Sequence, residues 1–254
     1  MTTSITTTVN ESRTAYSGTN CRADCRAVMS LVSFAITSPP EAVRAFFRHA
    51  ENPNFPPRYN IAPTQPIPLV SARREGAGAA RHFQLARWGF LPGFVKNPAK
   101  FPLIINARAE TIAEKPSFRA ALRRRRCLVP ADCWYEWRAN LRGPKTPYLL
   151  QRAGGGLMGF AGLWETYLDP SGSEIDTVCI VTTMANGATA AIHDRMPAII
   201  DAEDFEAWLN PDETVPPPLG LLRPAPDDAI EFFAIGPHVN RATNDVAEVQ
   251  TPAL

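Results

Sequence analysis

The amino-acid sequence predicts an α+β fold, and three observations lead to this class. Short apolar runs rich in β-branched and aromatic residues recur along the chain, only a few segments have helical spacing, and the two kinds of segment do not alternate regularly. Regular alternation would indicate a doubly wound parallel sheet. Because no internal repeat or linker interrupts residues 29–254, we expect one domain there.

Composition narrows the classes to which the chain can belong. It has 254 residues, of which 45% are hydrophobic, and a net charge of +1, which suits a domain with a sizeable core. No apolar run approaches the roughly 18 residues of a membrane span. The five cysteines lack CxxC spacing, which argues against a disulfide scaffold or zinc site. We therefore expect a monomer of the reducing cytoplasm, without membrane contact, metal or cofactor.

The small net charge conceals an asymmetry between the two parts of the chain. Residues 1–150 hold 22 Lys and Arg against 9 Asp and Glu, whereas residues 151–254 hold 4 against 16. This division predicts either a basic face that contacts phosphates or two parts that neutralise each other. The sequence does not distinguish these alternatives.

The first predicted elements are a helix and a rigid loop. Residues 1–28 lack periodicity and are interpreted as a disordered extension or a misassigned start. Ser38-Pro39-Pro40-Glu41 has capping-box spacing, which predicts a helix from there to about Arg48. Frequent prolines between residues 53 and 68 then predict a rigid loop that contains residues 58–65.

The rest of the chain consists mainly of predicted strands. We place strands at 67–72, 81–87, 103–107, 126–130, 133–137, 147–152, 157–163 and 177–183. Helices are predicted at 117–124 and from a capping Asp201 to Leu209. The proline-rich residues 211–227 predict a surface loop.

Two segments place polar groups on or beside predicted strands. Asn106 and Arg108 close the apolar strand that begins at Leu103. Glu136 shares a strand face with Trp134, so its carboxyl group could be partly desolvated, with the raised pKa of a general acid. An exposed strand glutamate beside ordinary core aromatics is the alternative.

Three further segments carry candidate functional groups, each with a structural alternative. His193 precedes a strand together with Asp194 and Arg195, although most lone loop histidines are structural. Trp88 lies in a loop shaped by Gly and Pro, where an indole either packs in the core or stacks on a base. The basic run 123–126 is best read as a solvated helix end.

Taken together, these motifs resemble the SRAP family, the SOS-response-associated peptidases also called abasic-site-processing proteins. The resemblance covers about residues 34–254. It depends on six segments in order, namely Asn60-Ile61-Ala62-Pro63-Thr64-Gln65, Trp88-Gly89-Phe90-Leu91-Pro92, Asn106-Ala107-Arg108-Ala109-Glu110-Thr111, Cys127 to Trp137, Phe160-Ala161-Gly162-Leu163-Trp164, and Thr182-Thr183 followed by His193-Asp194-Arg195-Met196-Pro197.

The resemblance implies a mixed, barrel-like sheet flanked by short helices and a protein that captures abasic sites in single-stranded DNA. Members of the family begin Met-Cys-Gly-Arg-Phe, and loss of the methionine exposes the cysteine. Its α-amine forms an imine with the sugar aldehyde, and its thiol closes a thiazolidine ring. Amine and thiol must therefore belong to the same terminal residue.

The resemblance also implies roles for individual residues. Asn106 would orient the terminal residue and the sugar, Glu136 would act as general acid and base, and His193 would assist proton transfer. Arg108 and Arg195 would hold phosphates beside the lesion. Trp88 and the Pro63 loop would stack against or wedge beside flanking bases, and Asn60 would also bind DNA.

The chain departs from the family where the cysteine is expected. Phe34 aligns with the phenylalanine of the family start, so Leu31, Val32 and Ser33 stand where Cys, Gly and Arg belong. Three explanations are open: a misread start, translation from Met29 with Ser30 terminal, or a domain that binds DNA without crosslinking. A terminal serine would form a less persistent ring, because a hydroxyl is a weaker nucleophile than a thiolate.

Three functions are therefore carried forward. The first is an abasic-site enzyme with lyase-like and self-processing chemistry. The second is a single-stranded DNA-binding module that does not crosslink. The third, a peptidase acting on other proteins, would need a nucleophile beside a base, and the motifs supply His193 and Glu136 without a matched serine or cysteine.

Overall fold

The structure, a computed structural model, describes residues 32–76, 78–168 and 171–253. The leader of residues 1–28, interpreted above as a disordered extension or misassigned start, lies outside them. Within the described residues there are thirteen strands: β1 Phe34–Ile36, β2 Arg58–Ile61, β3 Pro66–Glu75, β4 Gly78–Trp88, β5 Asn106–Arg108, β6 Arg126–Ala131, β7 Cys133–Arg138, β8 Thr146–Arg152, β9 Met158–Leu168, β10 Glu174–Met184, β11 Arg195–Pro197, β12 Ile199–Ile200 and β13 Ile230–Ala234. The α-helices there are α1 Pro40–Phe47, α2 Pro116–Arg124 and α3 Phe205–Leu209.

Five strands close into a barrel. Going around it, β10 pairs with β4, β4 with β3, β3 with β6, β6 with β9, and β9 again with β10. A closed sheet leaves none of these five strands with an unpaired edge within the barrel. The short strands β5 and β11 extend from β10, and β12 extends from β9.

The other strands form a five-stranded sheet in the order β13-β8-β7-β1-β2. Each pair of neighbouring strands in this sheet is antiparallel. β1 has only three residues, all buried, and it lies between β2 and β7. The start of the described chain is therefore held on both sides.

An aromatic cluster joins this sheet to the barrel. The ring of Phe34 on β1 contacts Trp88 on β4 at 5.3 Å and Phe160 on β9 at 6.2 Å between centroids. Trp134 on β7 contacts Phe160 at 6.0 Å. Since all four rings are fully buried, sheet and barrel share one core. The predicted α+β class with a barrel-like core is confirmed.

The predicted helices are present, but the predicted capping of the first is wrong. α1 buries Val43 and Phe47, and Phe47 stacks on Phe205 of α3 at 5.3 Å. Ser38 does not cap α1, because its hydroxyl and backbone N–H donate to the carboxylate of Asp132 at 2.6 and 2.7 Å. Asp201 likewise makes no capping hydrogen bond.

Several short strands escaped prediction. The predicted loop at 58–65 contains β2, and the predicted strand at 103–107 is reduced to an isolated bridge at Ile104 followed by β5. β1, β11, β12 and β13 have two to five residues. Such strands form because a partner far along the chain pairs with them, so the local pattern is weak.

The arginine run at the end of α2 is only partly a solvated helix end. Arg126 is buried and donates to the carbonyl oxygens of Trp208, Leu122, Arg123 and Asn210. Arg125 lies over the Trp164 ring and pairs with Glu165 at 2.8 Å. Only the first two arginines are exposed. Two of the four therefore anchor α2 to the barrel.

The charge asymmetry is partly cancelled by contacts between the two parts of the chain. Arg74 pairs with Asp212 at 3.0 Å, and Arg58 and Arg125 pair with Asp245 and Glu165. The exposed Arg108, Arg138, Arg142 and Lys145 form no ion pair with another described residue. No helix in the described part of the chain has the length and apolar character needed to cross a bilayer.

Candidate functional site

The carboxyl-terminal end of β10 brings several predicted site residues together. β5 runs parallel to β10, with Asn106 beside Ile180 and Arg108 beside Thr182. On β10, Met184 pairs with Arg195 of β11. Strand pairing alone thus gathers two motifs that lie more than 80 residues apart in the sequence. Arg108 is exposed and Asn106 is half-buried.

The Arg195 side chain binds other residues of the protein, contrary to its predicted contact with phosphate. Its guanidinium forms a bidentate pair with Glu110 at 2.8 and 2.9 Å and donates to the Thr182 carbonyl oxygen at 2.6 Å. Its side chain is 7% exposed. The pair with Arg195 is the main reason that the pKa of Glu110 is lowered. Arg195 therefore ties β11 to β10 and to the turn after β5.

His193 is oriented by the same segment. Its Nδ1 accepts the backbone N–H of Arg195 at 3.1 Å and lies 3.2 Å from a carboxylate oxygen of Asp194. Burial lowers the pKa of His193, and the charge of Asp194 opposes that effect. The neutral ring that accepts at Nδ1 carries its proton on Nε2. In that form His193 can donate one hydrogen bond from Nε2.

Glu136 lies in the five-stranded sheet, beside the point where the chain enters β1. It is only 2% exposed, next to fully buried Trp134, so the predicted burial of this carboxyl group is confirmed. Phe34 pairs with Trp134, and Ser33 accepts the N–H of Tyr135 at 3.1 Å. Continuing this antiparallel register places Val32 opposite Glu136.

Lys145 carries charge near both groups of residues. Its positive charge is one of the smaller causes that lower the pKa of His193. Lys145 also directly precedes β8, in which Tyr148 pairs with Glu136.

Asn60 has a structural role that excludes the predicted contact with DNA. It is 1% exposed, and its amide group donates to the carbonyl oxygens of Val239, Arg241 and Asn244 at 3.0 to 3.3 Å. Its oxygen accepts the hydroxyl of Ser33 at 2.5 Å. Asn60 thus fastens β2 and the start of β1 to the C-terminal segment.

Pro63 and Trp88 differ in accessibility. Pro63 is half-buried in a turn where Thr64 has a φ of 75°, and the Thr64 N–H donates to the Trp88 carbonyl oxygen at 2.8 Å. The Trp88 ring is fully buried, and its indole donates to the Ile105 carbonyl oxygen at 2.9 Å. Trp88 therefore cannot stack on a base, and that prediction is wrong. Pro63 retains an accessible surface.

The thiols of the described residues are poor nucleophiles. Cys127, Cys133 and Cys179 are buried and free. Burial raises the pKa of Cys133 to about 12 and raises the pKa of both other thiols well above the usual range. Since the thiolate is the reactive form, these side chains are suited to packing rather than covalent capture.

Other places in the described structure offer little alternative chemistry. A cavity of about 890 Å³ lies between α1, the β3–β4 hairpin and α3, and it is lined by Arg48, Arg81 and Glu206 among others. It contains none of the predicted site residues. Within the described ranges, no group of three or more His, Cys, Asp or Glu side chains is arranged to hold a metal.

Glu110 was not assigned a role from the sequence, although it lies inside a recognised motif. Its partner Arg195 is 85 residues away, so local patterns give no signal of their contact. Lys145 carried no sequence signal either, because a single lysine before a strand is ordinary. Both become visible only when the strands are assembled.

The barrel and the sheet packed on it define a single-domain α+β protein with polar groups gathered around the end of β10. The sequence profile for SRAP, described as SOS response associated peptidase, matches residues 32–242. The chain belongs to the SRAP family.

Proteins from a bacterium and a mammal are similar to this chain in sequence. The chain is 38% identical over 196 residues to the abasic site processing protein YoqW of Bacillus subtilis, covering 77% of this chain and 86% of that protein. It is 30% identical over 232 residues to the abasic site processing protein HMCES of Rattus norvegicus, covering 78% of this chain and 65% of that protein.

Solved structures have the same fold. A crystal structure of a protein from Bacteroides thetaiotaomicron matches with a TM-score of 0.74 and 27% identity, covering 88% of this chain and all of that one. A protein from Bordetella bronchiseptica matches with a TM-score of 0.68 and 26% identity, covering 82% of this chain and all of that one.

Proposed function

We propose that this protein recognises abasic sites in single-stranded DNA and takes part in their processing. The observation that carries this proposal is the entry of the chain into β1 beside the buried Glu136, through the hydrogen bond from Tyr135 to Ser33 at 3.1 Å. A group that precedes β1 would meet the carboxyl group needed for imine chemistry. The relatives named as abasic site processing proteins support the same substrate.

The proposed roles follow from accessibility. Arg108 is exposed and can donate two hydrogen bonds to one phosphate. Asn106 lies two residues earlier on β5 and would orient the sugar. Glu136 would transfer the protons that imine formation and reversal require, and the Nε2–H of His193 would donate to the oxygen of the opened sugar.

Covalent capture needs a residue that the printed sequence does not supply at the expected position. Thiazolidine formation joins an α-amine to the sugar C1′ with loss of water, and the thiol of the same residue then adds to the imine carbon. Leu31, Val32 and Ser33 precede Phe34, and the described thiols are buried. For the chain as printed we therefore favour the second candidate, DNA binding without a stable crosslink.

A denaturing gel can test both candidates. The printed chain should give no heat-stable band with an oligonucleotide that contains an abasic site. Its affinity for that oligonucleotide, measured by fluorescence anisotropy, should fall steeply as salt is raised, because phosphate contacts release counterions. A crosslinked band from the printed chain would overturn the non-crosslinking candidate.

A redesigned start tests the chemistry of the site itself. Placing Met-Cys-Gly-Arg directly before Phe34, in place of residues 1–33, should produce the heat-stable band after methionine removal. In that background Glu136→Gln should slow band formation or reversal by roughly 100-fold or more, the usual scale of general acid–base catalysis. An unchanged rate would remove Glu136 from the mechanism. Failure of the wild-type chain to bind DNA would remove the proposal.

A further inference from the structure

We propose that residues 139–145, the loop between β7 and β8, form a finger that contacts single-stranded DNA next to the lesion. In this proposal Leu141 occupies the gap left by the missing base, while Arg142 and Lys145 hold the neighbouring phosphates. The proposal rests on the function proposed above. It adds a contact surface that none of the predicted site residues includes.

The first observation is the exposure of Leu141. Its relative exposure is 106%, whereas the next most exposed large hydrophobic residue of the described chain, Phe94, reaches 61%. A single exposed leucine is ordinary, so exposure alone decides nothing. It does establish that Leu141 contributes no packing to the folded domain, and its side chain is available to a partner.

The second observation is that the loop is held in one shape. The Asn140 amide donates to the Pro144 carbonyl oxygen at 2.6 Å and to the Thr146 hydroxyl at 3.0 Å, which bridges the base of the loop. Gly143 has a φ of 85°, a conformation that side chains disfavour. These contacts close the base of the loop and leave Leu141 at its exposed tip.

The third observation is the charge around Leu141. Arg138, Arg142 and Lys145 are exposed, and no Asp or Glu occurs between Trp137 and Thr146. The Arg138 guanidinium lies 5.0 Å from the centre of the Tyr148 ring, which directs it along the hairpin. A short, rigid segment with several cations and no anions suits a phosphate backbone.

The position of the loop links it to the candidate site. It joins β7, the strand that contains Glu136, to β8, in which Tyr148 pairs with Glu136. Proteins that contact DNA often insert leucine between bases, at the cost of unstacking them. An abasic site has already lost one base, so that cost is lower there. The same leucine would therefore favour the lesion over intact DNA.

The test compares two labelled single strands in anisotropy titrations. One carries a tetrahydrofuran residue, a stable analogue of the abasic sugar, and the other carries an intact base. Leu141→Ala should weaken binding to the first strand about 5- to 100-fold, the range expected when burial of a leucine side chain worth about 1–3 kcal/mol is lost, and should reduce the preference for that strand. Leu85→Ala is the matched control, since Leu85 is 54% exposed on β4.

The charged residues are tested through salt dependence. The double variant Arg142→Gln, Lys145→Gln should reduce the slope of log affinity against log salt by about 1.4, that is about 0.7 for each lost phosphate contact. The control is Arg119→Gln, Arg123→Gln, which removes two exposed arginines from α2 and should leave the slope unchanged. Thermal unfolding of each variant verifies that it is folded.

The possible results separate this inference from the function on which it depends. If the wild-type chain binds neither strand, the proposed function fails. If it binds but the loop variants match their controls, the finger inference is wrong and the function stands. Binding of the loop to vesicles of anionic phospholipid, lost in Leu141→Ala while DNA binding persists, would also overturn the inference.

Discussion

The most informative single contact is the ion pair between Glu110 and Arg195. It shows that Arg195, which was predicted to bind DNA, has a structural role. Arg195 also supplies the backbone N–H that His193 accepts. Glu110, in the turn after β5, thus acts on His193 through Arg195. The motif containing His193 keeps its shape by means of a residue from a different motif.

This pair predicts an asymmetry between two substitutions. Glu110→Ala leaves a buried guanidinium without its carboxylate partner, whereas Arg195→Met leaves a carboxylate that is 43% exposed and can be hydrated. We expect Glu110→Ala to lower the free energy of unfolding by about 2–3 kcal/mol and Arg195→Met by about 1 kcal/mol less. Urea denaturation measures both values. Equal losses would show that the buried charge is not the cause.

Individual residues also mark how far the sequence could predict the site. Strand alternation put Glu136 on the same face as Trp134 but left open whether its carboxyl group is buried or exposed, and the structure shows that it is buried. Three other properties depend on residues between 17 and 184 positions away. They are the burial of Trp88, the hydrogen bonds of Asn60 to the C-terminal segment and the ion pair of Arg195. The motifs named the candidate site residues, whose roles stay predictions, but the division between structural and accessible residues came only from tertiary packing.

Among the structural elements, β2 depends most on the C-terminal segment. Asp245 accepts the backbone N–H groups of Tyr59 and Asn60 at 2.5 and 2.9 Å and pairs with Arg58. β2 is the last strand of its sheet, and Asp245 thus satisfies backbone groups on its open edge. An edge strand tolerates nearby prolines because one side of it needs no partner strand. The prolines and the short length of β2 led us to predict a loop there.

Asp245→Asn should therefore loosen β2 selectively. The amide keeps one acceptor oxygen but loses the charge that Arg58 requires, so we expect a loss of about 1–3 kcal/mol in unfolding free energy. Hydrogen exchange of the Tyr59 and Asn60 amides should accelerate, whereas exchange in β9 should change only by the global loss. Equal acceleration in β2 and β9 would contradict a local role.

At the scale of the whole molecule, the barrel and the five-stranded sheet share one hydrophobic core. Phe34, Trp88, Trp134 and Phe160 join the two sheets through edge-to-face contacts. A core shared in this way predicts a single unfolding transition. The short strand β1 contributes one of the four rings. Its three residues therefore help to stabilise both the sheet and the barrel.

Phe34→Leu tests this cooperativity. The change removes aromatic contacts on both sides and leaves a partly filled space, so we expect a loss of about 1–3 kcal/mol in unfolding free energy. Tryptophan fluorescence and far-ultraviolet circular dichroism should still report the same midpoint. Separate midpoints for the two signals would show that barrel and sheet unfold independently.

The position of β1 between two neighbours has a consequence for how such domains diversify. The backbone hydrogen bonds of β1 to its two neighbours are made by main-chain groups and require no particular side chain before it. A lineage could therefore exchange those upstream residues, gaining or losing a reactive amino terminus, while the barrel remains intact. Folding and reactivity could then change independently. A change in the position at which translation begins would alter the amino terminus without altering the barrel.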